Sequence, residues 1–173
     1  LEKLNDKNVQ LLYGLSYFQE KNWLLWDQYY QKIEKDDFFH GYGKRLNQLK
    51  EKEFLLNLKT PNKASLLSAI IPGLGQIYNQ SYLDGIASFA LNGSIVFFMA
   101  DQGRRFFQAD KTNKKIYFAL NFTLIYYFIF SRYYNGGIYN AYQGAVNFNE
   151  KLLSPIEKEK EKIYQELIDH YFE

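Results

Sequence analysis

Apolar and polar positions follow helical spacing at the two ends of the chain. Between residues 8 and 33, Leu11, Leu15 and Phe18 lie on one face of a predicted helix. A break at Lys21-Asn22 separates it from a second apolar face, which contains Trp23, Trp26, Tyr30 and Ile33. Because so short a connection leaves adjacent helices antiparallel, we expect a helical hairpin here.

The segments after this hairpin and at the end of the chain are also predicted to be helical. Residues 38–58 have room for a further helix pair, broken near Gly41-Tyr42-Gly43. In residues 150–173, Ser154 and Glu157 have capping-box spacing, and Pro155 suits the first helical position. The amphipathic helix predicted there has an apolar stripe of Ile156, Ile163, Tyr164, Leu167, Ile168, Tyr171 and Phe172. We expect this stripe to pack on the N-terminal helices.

The N-terminal hairpin contains residues typical of a known repeat. Gly14 and Tyr17 in its first helix, and Tyr30 in its second, stand where a tetratricopeptide repeat has a small residue and two aromatic residues. On these residues the segment 8–33 resembles such a repeat, and residues 1–62 are predicted to form a TPR-like helical region. Because one repeat cannot bury its own apolar face, the resemblance implies neighbouring helices.

Residues 64–149 differ from both ends of the chain in charge. The chain has 21 basic and 19 acidic residues, and only nine of these lie in this middle zone. The mean hydropathy of −0.41 is typical of a soluble protein, but it averages two different kinds of sequence. Two long uncharged runs, extended by aromatic residues at their ends, approach the ~20 residues that a membrane span needs. We predict an all-α membrane domain at 63–149, with spans at about 81–100 and 116–134.

A proline–glycine segment precedes the first predicted span. Residues 64–80 contain Pro72-Gly73-Leu74-Gly75, which interrupts a helix and predicts a short hairpin. The motif residues of this hairpin are Pro72, Gly73, Gly75, Gln76 and Tyr78. With them, roughly residues 60–150 resemble a group of small bacterial membrane proteins related to the two-transmembrane-domain family. The resemblance implies a place in the membrane and supplies no catalytic residues.

The segment between the two spans predicts the orientation of the chain in the membrane. Residues 101–115 form a predicted cytoplasmic loop with five basic residues, namely Arg104, Arg105, Lys111, Lys114 and Lys115. Excess positive charge in a short loop is typical of the cytoplasmic side. Two spans then place the N- and C-terminal helices on the extracytoplasmic side of a bacterial inner membrane. Contact of the basic loop with anionic lipid headgroups is expected.

Few residues of the middle zone suggest a specific chemistry. Asp84 and Arg132 lie near the ends of the predicted spans, where they form either a structural pair or a functional intramembrane site. Gly137, Ala141 and Ala145 recur every four residues, which favours close helix packing within the chain over a dimer contact. No cofactor or metal site is predicted. The chain has no cysteine, and its near-neutral charge disfavours nucleic-acid binding.

The sequence therefore favours a non-enzymatic function. We predict a membrane-anchored scaffold or accessory subunit of a bacterial envelope complex, which presents helical repeats to other protein subunits and contacts membrane lipids. The alternative is a component of transport, or of lipid or protein insertion machinery, that uses Asp84 and Arg132 within the membrane. A third possibility is a soluble helical protein whose middle zone is a buried core.

Overall fold

The computed structural model describes residues 6–33 and 38–172, and every regular element in these ranges is a helix. The α-helices are α1 (Asp6–Gln19), α2 (Trp23–Tyr30), α3 (Phe38–Phe54), α4 (Pro61–Ile70), α5 (Leu74–Tyr78), α6 (Tyr82–Gln108), α7 (Thr112–Leu124) and α8 (Ser131–Phe172). A π-helical segment, Ile125–Phe130, joins α7 to α8. The predicted all-α class is confirmed. Predictions for residues 1–5, 34–37 and 173 lie outside the described residues.

The chain divides into two compact units. The end unit combines the chain up to Leu56 with the segment from Leu153 onward, and the middle unit is Asn57–Leu152. The end unit therefore comes from two distant parts of the sequence. Each unit has its own buried cluster of apolar side chains.

The N-terminal helices form the helical hairpin that the sequence predicts. The break lies at Lys21, whose φ of 56° is left-handed, and at Asn22, whose side chain accepts a hydrogen bond from the Leu25 amide. This bond caps α2, because the first amides of a helix have no partner within it. Gly14 lies directly against the Tyr29 ring, which leaves no room for a side chain at this position.

The core of the end unit contains residues from both ends of the chain. Its largest fully buried side chain is Trp26, which has an edge-to-face contact with Phe18 at a centroid distance of 4.9 Å. The remaining buried members are Leu46, Leu49, Ile156, Ile163 and Leu167. Ile156, Ile163 and Leu167 of the predicted C-terminal stripe thus pack on the N-terminal helices, whereas Ile168 is 49% exposed and the side chains of Tyr171 and Phe172 lie outside the described part of the chain.

Two predicted helix boundaries in this part of the sequence are wrong. Helix α3 continues through Gly41 and Gly43, because Gly43 lies against the Tyr30 ring and serves close packing rather than a turn. Helix α8 runs through Pro155, so the predicted start of a separate C-terminal helix at Ser154 is absent. An internal proline costs a helix about 3 kcal/mol, and burial of Ile156 and Ile163 on the following turns offsets this cost.

Arg45 connects α3 to α8 within the end unit. Its guanidinium donates hydrogen bonds to Glu166 at 2.5 Å and to Glu159 at 2.9 Å. These bonds raise the pKa of Arg45, and the bond from Arg45 lowers the pKa of Glu166. Because the pKa of Glu166 is lowered in the folded chain, its carboxylate stabilises the fold at pH values above the ordinary pKa of a glutamate. This contribution is lost as the pH falls through the folded-state pKa.

Tyr164 is predicted to weaken the end unit through its hydroxyl. That oxygen is buried without a hydrogen-bond partner among the described residues, and burial raises the pKa of Tyr164 to about 12. Tyr164→Phe removes an unsatisfied polar group, so we expect the free energy of unfolding to increase by ~1 kcal/mol at neutral pH. The unfolded chain ionises Tyr164 near its ordinary value of 10, so wild-type stability falls relative to the variant between pH 10 and 12.

Urea unfolding followed by tryptophan fluorescence measures this effect, because both tryptophans of the chain, Trp23 and Trp26, lie in the end unit. A variant less stable than the wild type at neutral pH would mean that the hydroxyl has a favourable partner.

The middle unit is built around a helical hairpin of α6 and α7, joined by the turn 109–111. The predicted loop at 101–115 is therefore wrong in extent, and the first predicted span continues to Gln108. Asp101 pairs with Arg104 and Arg105 along the helix, at 3.0 and 2.6 Å. Such pairs three and four residues apart favour helix over loop. The predicted second span covers most of α7, the π-helical segment and the start of α8.

One helix among the described residues, Tyr82–Gln108, is long and apolar enough to cross a membrane. Only 17% of its most apolar 18-residue stretch is buried within the protein. A core helix of a soluble protein is mostly buried, so the exposure of α6 is unlike that of a core helix.

Candidate functional site

The Pro72–Gly75 turn brings three helices of the middle unit into close contact. Gly73 has φ +95°, and a Cβ placed on it would lie 2.1 Å from the Gly85 carbonyl oxygen of α6. Gly75 is equally close to α4, since its Cβ would lie 2.0 Å from the Ala64 carbonyl oxygen. Only glycine fits at either position. The turn therefore fixes α5 against its neighbours.

Two amide side chains then attach α5 to α8. Gln76 donates to the Gly137 carbonyl at 2.8 Å, and its own oxygen accepts from Ser68 at 2.8 Å. Asn79 donates to the Ala141 carbonyl at 2.6 Å. Both acceptors lie on one face of α8, one helical turn apart. Gln76 of the predicted hairpin motif thus has a structural role, and Asn79 shares it.

Tyr78, the aromatic residue of the motif, contacts the residues at the start of the middle unit. Its hydroxyl accepts a hydrogen bond from the Thr60 amide at 3.2 Å, and this bond lowers the pKa of Tyr78. The ammonium groups of Lys59 and Lys63 lie over its ring, at 4.9 and 5.3 Å from the centroid. Asn149 holds Lys59 in turn through both backbone groups, at 2.7 and 2.8 Å.

The predicted small-residue stripe packs within the chain. Ala141 and Ala145 are fully buried against Ala64 of α4. Gly137 lies against α6, where an added Cβ would come 3.3 Å from the Ser88 hydroxyl. These small side chains let α4, α5 and α6 approach α8 closely.

A polar groove of about 700 Å³ lies where α5, α6 and α8 meet. Its charged residues are Asp84, Arg132 and Lys151. The other polar side chains in its wall are Gln76, Asn79, Ser81, Ser88, Asn92, Tyr133, Asn140, Gln143 and Asn147. Sequence analysis missed the amides of α8, although Asn140, Gln143 and Asn147 recur at helical spacing. We call this space the amide groove.

Asp84 and Arg132 share the amide groove but have no ion pair with each other or with any other described residue. Their register explains the separation. With Gly137 opposite Ser88, the antiparallel helices place Asp84 and Arg132 about 13 Å apart along the axes, at 1.5 Å per residue. Both side chains are exposed to the groove. The predicted pair is thus replaced by two opposite charges with space between them.

Two buried oxygens in the groove wall lack hydrogen-bond donors. Asn79 and Asn92 are only 4% and 2% exposed, and the side-chain oxygen of each has no partner among the described residues. The amide nitrogens of both are used, Asn79 toward Ala141 and Asn92 toward the Ser88 carbonyl at 2.8 Å. An unsatisfied buried acceptor costs ~1–3 kcal/mol, so both side chains are held at some cost beneath the groove wall.

The basic residues at the other end of the hairpin do not join this groove. Arg104 and Arg105 lie on α6, and Lys111, Lys114 and Lys115 lie at or just after the turn into α7. All five side chains are exposed. Among the described residues no group of histidines or acidic residues has metal-binding geometry.

Much of the chain matches a model of a protein family. Residues 57–171 match the model of a family of unknown function, DUF5683. No curated protein and no solved structure matches the chain.

Proposed function

Since this chain belongs to DUF5683, a family of unknown function, we propose a function from its own residues. The protein is an integral membrane protein of two spans that acts as a non-catalytic scaffold or accessory subunit of a bacterial envelope complex. The middle unit anchors it, and the end unit presents helices to a protein partner.

The observation that carries this proposal is the outward-facing apolar surface of α6. Phe97 is 70% exposed although it lies in a helix that is long and apolar enough to cross a membrane. The neighbouring side chains Val96 and Phe98 are exposed as well. Water makes such a continuous apolar surface unfavourable, whereas lipid chains solvate it.

The helix that returns from α6 supports a second span. From Thr112 to Tyr134 the backbone is helical through α7, the π-helical segment and the first turn of α8. These 23 residues extend roughly 34 Å, enough for a hydrocarbon core of about 30 Å. Tyr127 and Phe128 are exposed on this return helix.

The positive charge at the hairpin turn supports the proposed orientation. Lys111, Lys114 and Lys115 lie at one end of the two spans, and the rule for cytoplasmic loops counts basic residues near the spans. Both terminal regions then lie on the extracytoplasmic side. Leu12, Tyr13 and Leu24 are exposed apolar residues of the N-terminal hairpin, where a protein partner would contact them.

Extraction and labelling test this proposal. We expect the chain to stay in the membrane pellet after an alkaline carbonate wash. The natural chain has no cysteine, so Lys114→Cys and Lys44→Cys each supply one thiol for an impermeant maleimide. We expect the maleimide to label Lys44→Cys in intact cells and to label Lys114→Cys only after the cells are lysed. Release by carbonate would contradict membrane insertion, and the reverse labelling pattern would contradict the orientation.

The amide groove favours a second candidate function. Unpaired charges at an intramembrane position are costly to keep and are typical of sites that handle a substrate. In this alternative the protein is a component of transport, or of lipid or protein insertion machinery, in which Asp84 and Arg132 contact what passes or docks.

A further inference from the structure

Two of the three charged residues of the amide groove, Asp84 and Arg132, fit a ligand that carries both signs. Arg132 lies toward the hairpin turn and Asp84 toward the start of α6, with about 13 Å of helix between them. Neither has an ion pair among the residues that the structure describes. A ligand whose phosphate and ammonium groups lie a few ångströms apart would contact the long side chain of Arg132 and the carboxylate of Asp84 at once.

The exposed carboxylate of Asp84 requires hydrogen-bond donors from a ligand, because a carboxylate only accepts. A primary ammonium donates up to three hydrogen bonds and would make a charge-assisted bond to this carboxylate. A quaternary ammonium has no N–H group and makes no such bond. Asp84 would thus discriminate between two kinds of cationic group.

Apolar surface next to the groove points to a lipid as the source of these groups. Leu91, two helical turns from Asp84 on the groove-lining face of α6, is 43% exposed. Leu91 and Phe148 form part of the groove wall itself. Acyl chains on this surface would hold an attached headgroup at the groove.

We propose that the amide groove binds the headgroup of a phospholipid with a primary ammonium, with Arg132 on the phosphate and Asp84 on the ammonium. The inference rests on the proposed membrane insertion and deepens it. It assigns the protein a lipid partner with a specific headgroup. The exposed apolar faces alone would have no preference among headgroups.

Spin-labelled lipids test the headgroup preference directly. The full chain is reconstituted in phosphatidylcholine vesicles with a trace of labelled phosphatidylethanolamine, phosphatidylcholine or phosphatidylglycerol. The motionally restricted fraction is measured by electron paramagnetic resonance. We expect phosphatidylethanolamine to associate about tenfold more strongly than phosphatidylcholine, since a hydrogen bond to a charged group has at least this order of effect.

Charge variants assign the two contacts. Asp84→Asn should remove the preference for phosphatidylethanolamine over phosphatidylcholine, while phosphatidylglycerol binding is kept or increased. Arg132→Gln should weaken phosphatidylethanolamine and phosphatidylglycerol alike. Asp110→Asn and Lys44→Gln are controls outside the groove, and their preference for phosphatidylethanolamine over phosphatidylcholine should equal that of the wild type.

A blocking variant keeps the test independent of charge and folding. Gly136 lies in the groove wall, and a Cβ there meets nothing within 4 Å, so the side chain of Gly136→Leu starts in open space and narrows the groove. Gly103→Leu is its control, because that position on α6 is equally open and lies outside the groove. Only Gly136→Leu should abolish the preference.

Three outcomes would overturn the proposal. Equal association of the three lipids would show that no headgroup site exists. Competition by soluble phosphoethanolamine as strong as by the lipid would make the ligand a free zwitterion. A photo-crosslinker at Asn140 that captures protein and no lipid would make the occupant a polypeptide. The carbonate wash separates failure of this inference from failure of the proposed function. A chain that stays in the membrane but shows no headgroup preference contradicts only the inference. A chain that carbonate extracts contradicts both.

Discussion

Replacing Gly73 with alanine is expected to unfold most of the middle unit. The residue has φ +95°, where a side chain costs ~1–2 kcal/mol, and its Cβ would lie 2.1 Å from the Gly85 carbonyl oxygen. The backbone carbonyl of Gly85 cannot rotate away from the added methyl group as a side chain can, so the steric overlap adds ~1–3 kcal/mol to the loss of stability. We expect a total loss of about 3 kcal/mol or more, and with it the contact of α5 with α6.

Gly136→Ala is the matched control for Gly73→Ala. It introduces the same methyl group into the same unit at a site with open space, so a gain of ~0.5–1 kcal/mol is expected from reduced chain entropy. Unfolding of detergent-solubilised protein by sodium dodecyl sulfate, followed by circular dichroism, measures both. Tryptophan fluorescence reports on the end unit alone, so we expect it to stay unchanged while only the middle unit unfolds. Equal stability of the two variants would contradict the strained turn.

Trp26→Ala is expected to have the largest effect in the end unit, a loss of ~3–5 kcal/mol. Trp26 is 1% exposed, contacts Phe18 and stacks on Tyr30 with ring centroids 5.9 Å apart. Its indole N–H also donates to Asn47 at 3.3 Å. A small unit has only a few kcal/mol of net stability, so the variant should be largely unfolded at 25 °C.

Leu24→Ala on the same helix provides the comparison for Trp26→Ala. Leu24 is 70% exposed, and we expect a change within ~0.5 kcal/mol. Trp23 remains as the fluorescent reporter in both variants, since it packs against Phe18 and Phe54. A Trp26→Ala protein that unfolds at the wild-type urea concentration would show that the helices associate without this core.

The predictions that succeeded from sequence concern features that local pattern determines. The break at Lys21-Asn22 is a local capping event, and the apolar residues of the C-terminal stripe recur at helical spacing from Ile163 onward. The predictions that failed concern residues with two possible meanings. Glycine is typical of turns and of close packing, and at Gly43 the Tyr30 ring decides for packing. Proline is typical of helix starts, yet Pro155 lies inside α8.

The amide groove was only half predictable. Asp84 and Arg132 stand out because charge is rare in the middle zone, but their separation depends on the register of α6 against α8, which Gly137 and Ser88 fix. Asn79 and Asn92 are ordinary polar residues in sequence. The amide nitrogen of Asn79 bonds to the Ala141 carbonyl of α8 and that of Asn92 to the Ser88 carbonyl within α6, and burial leaves both side-chain oxygens unsatisfied among the described residues.

The discontinuous end unit sets an order of events during synthesis. Its first 56 residues leave the ribosome without Ile156, Ile163 and Leu167, which complete their core. At ~5–20 residues per second, the intervening 96 residues take roughly 5–20 seconds to translate. During that interval Trp26 and Phe18 lack part of their cover. The N-terminal helices would therefore be open to chaperones until the last residues emerge, and the middle unit has time to fold first.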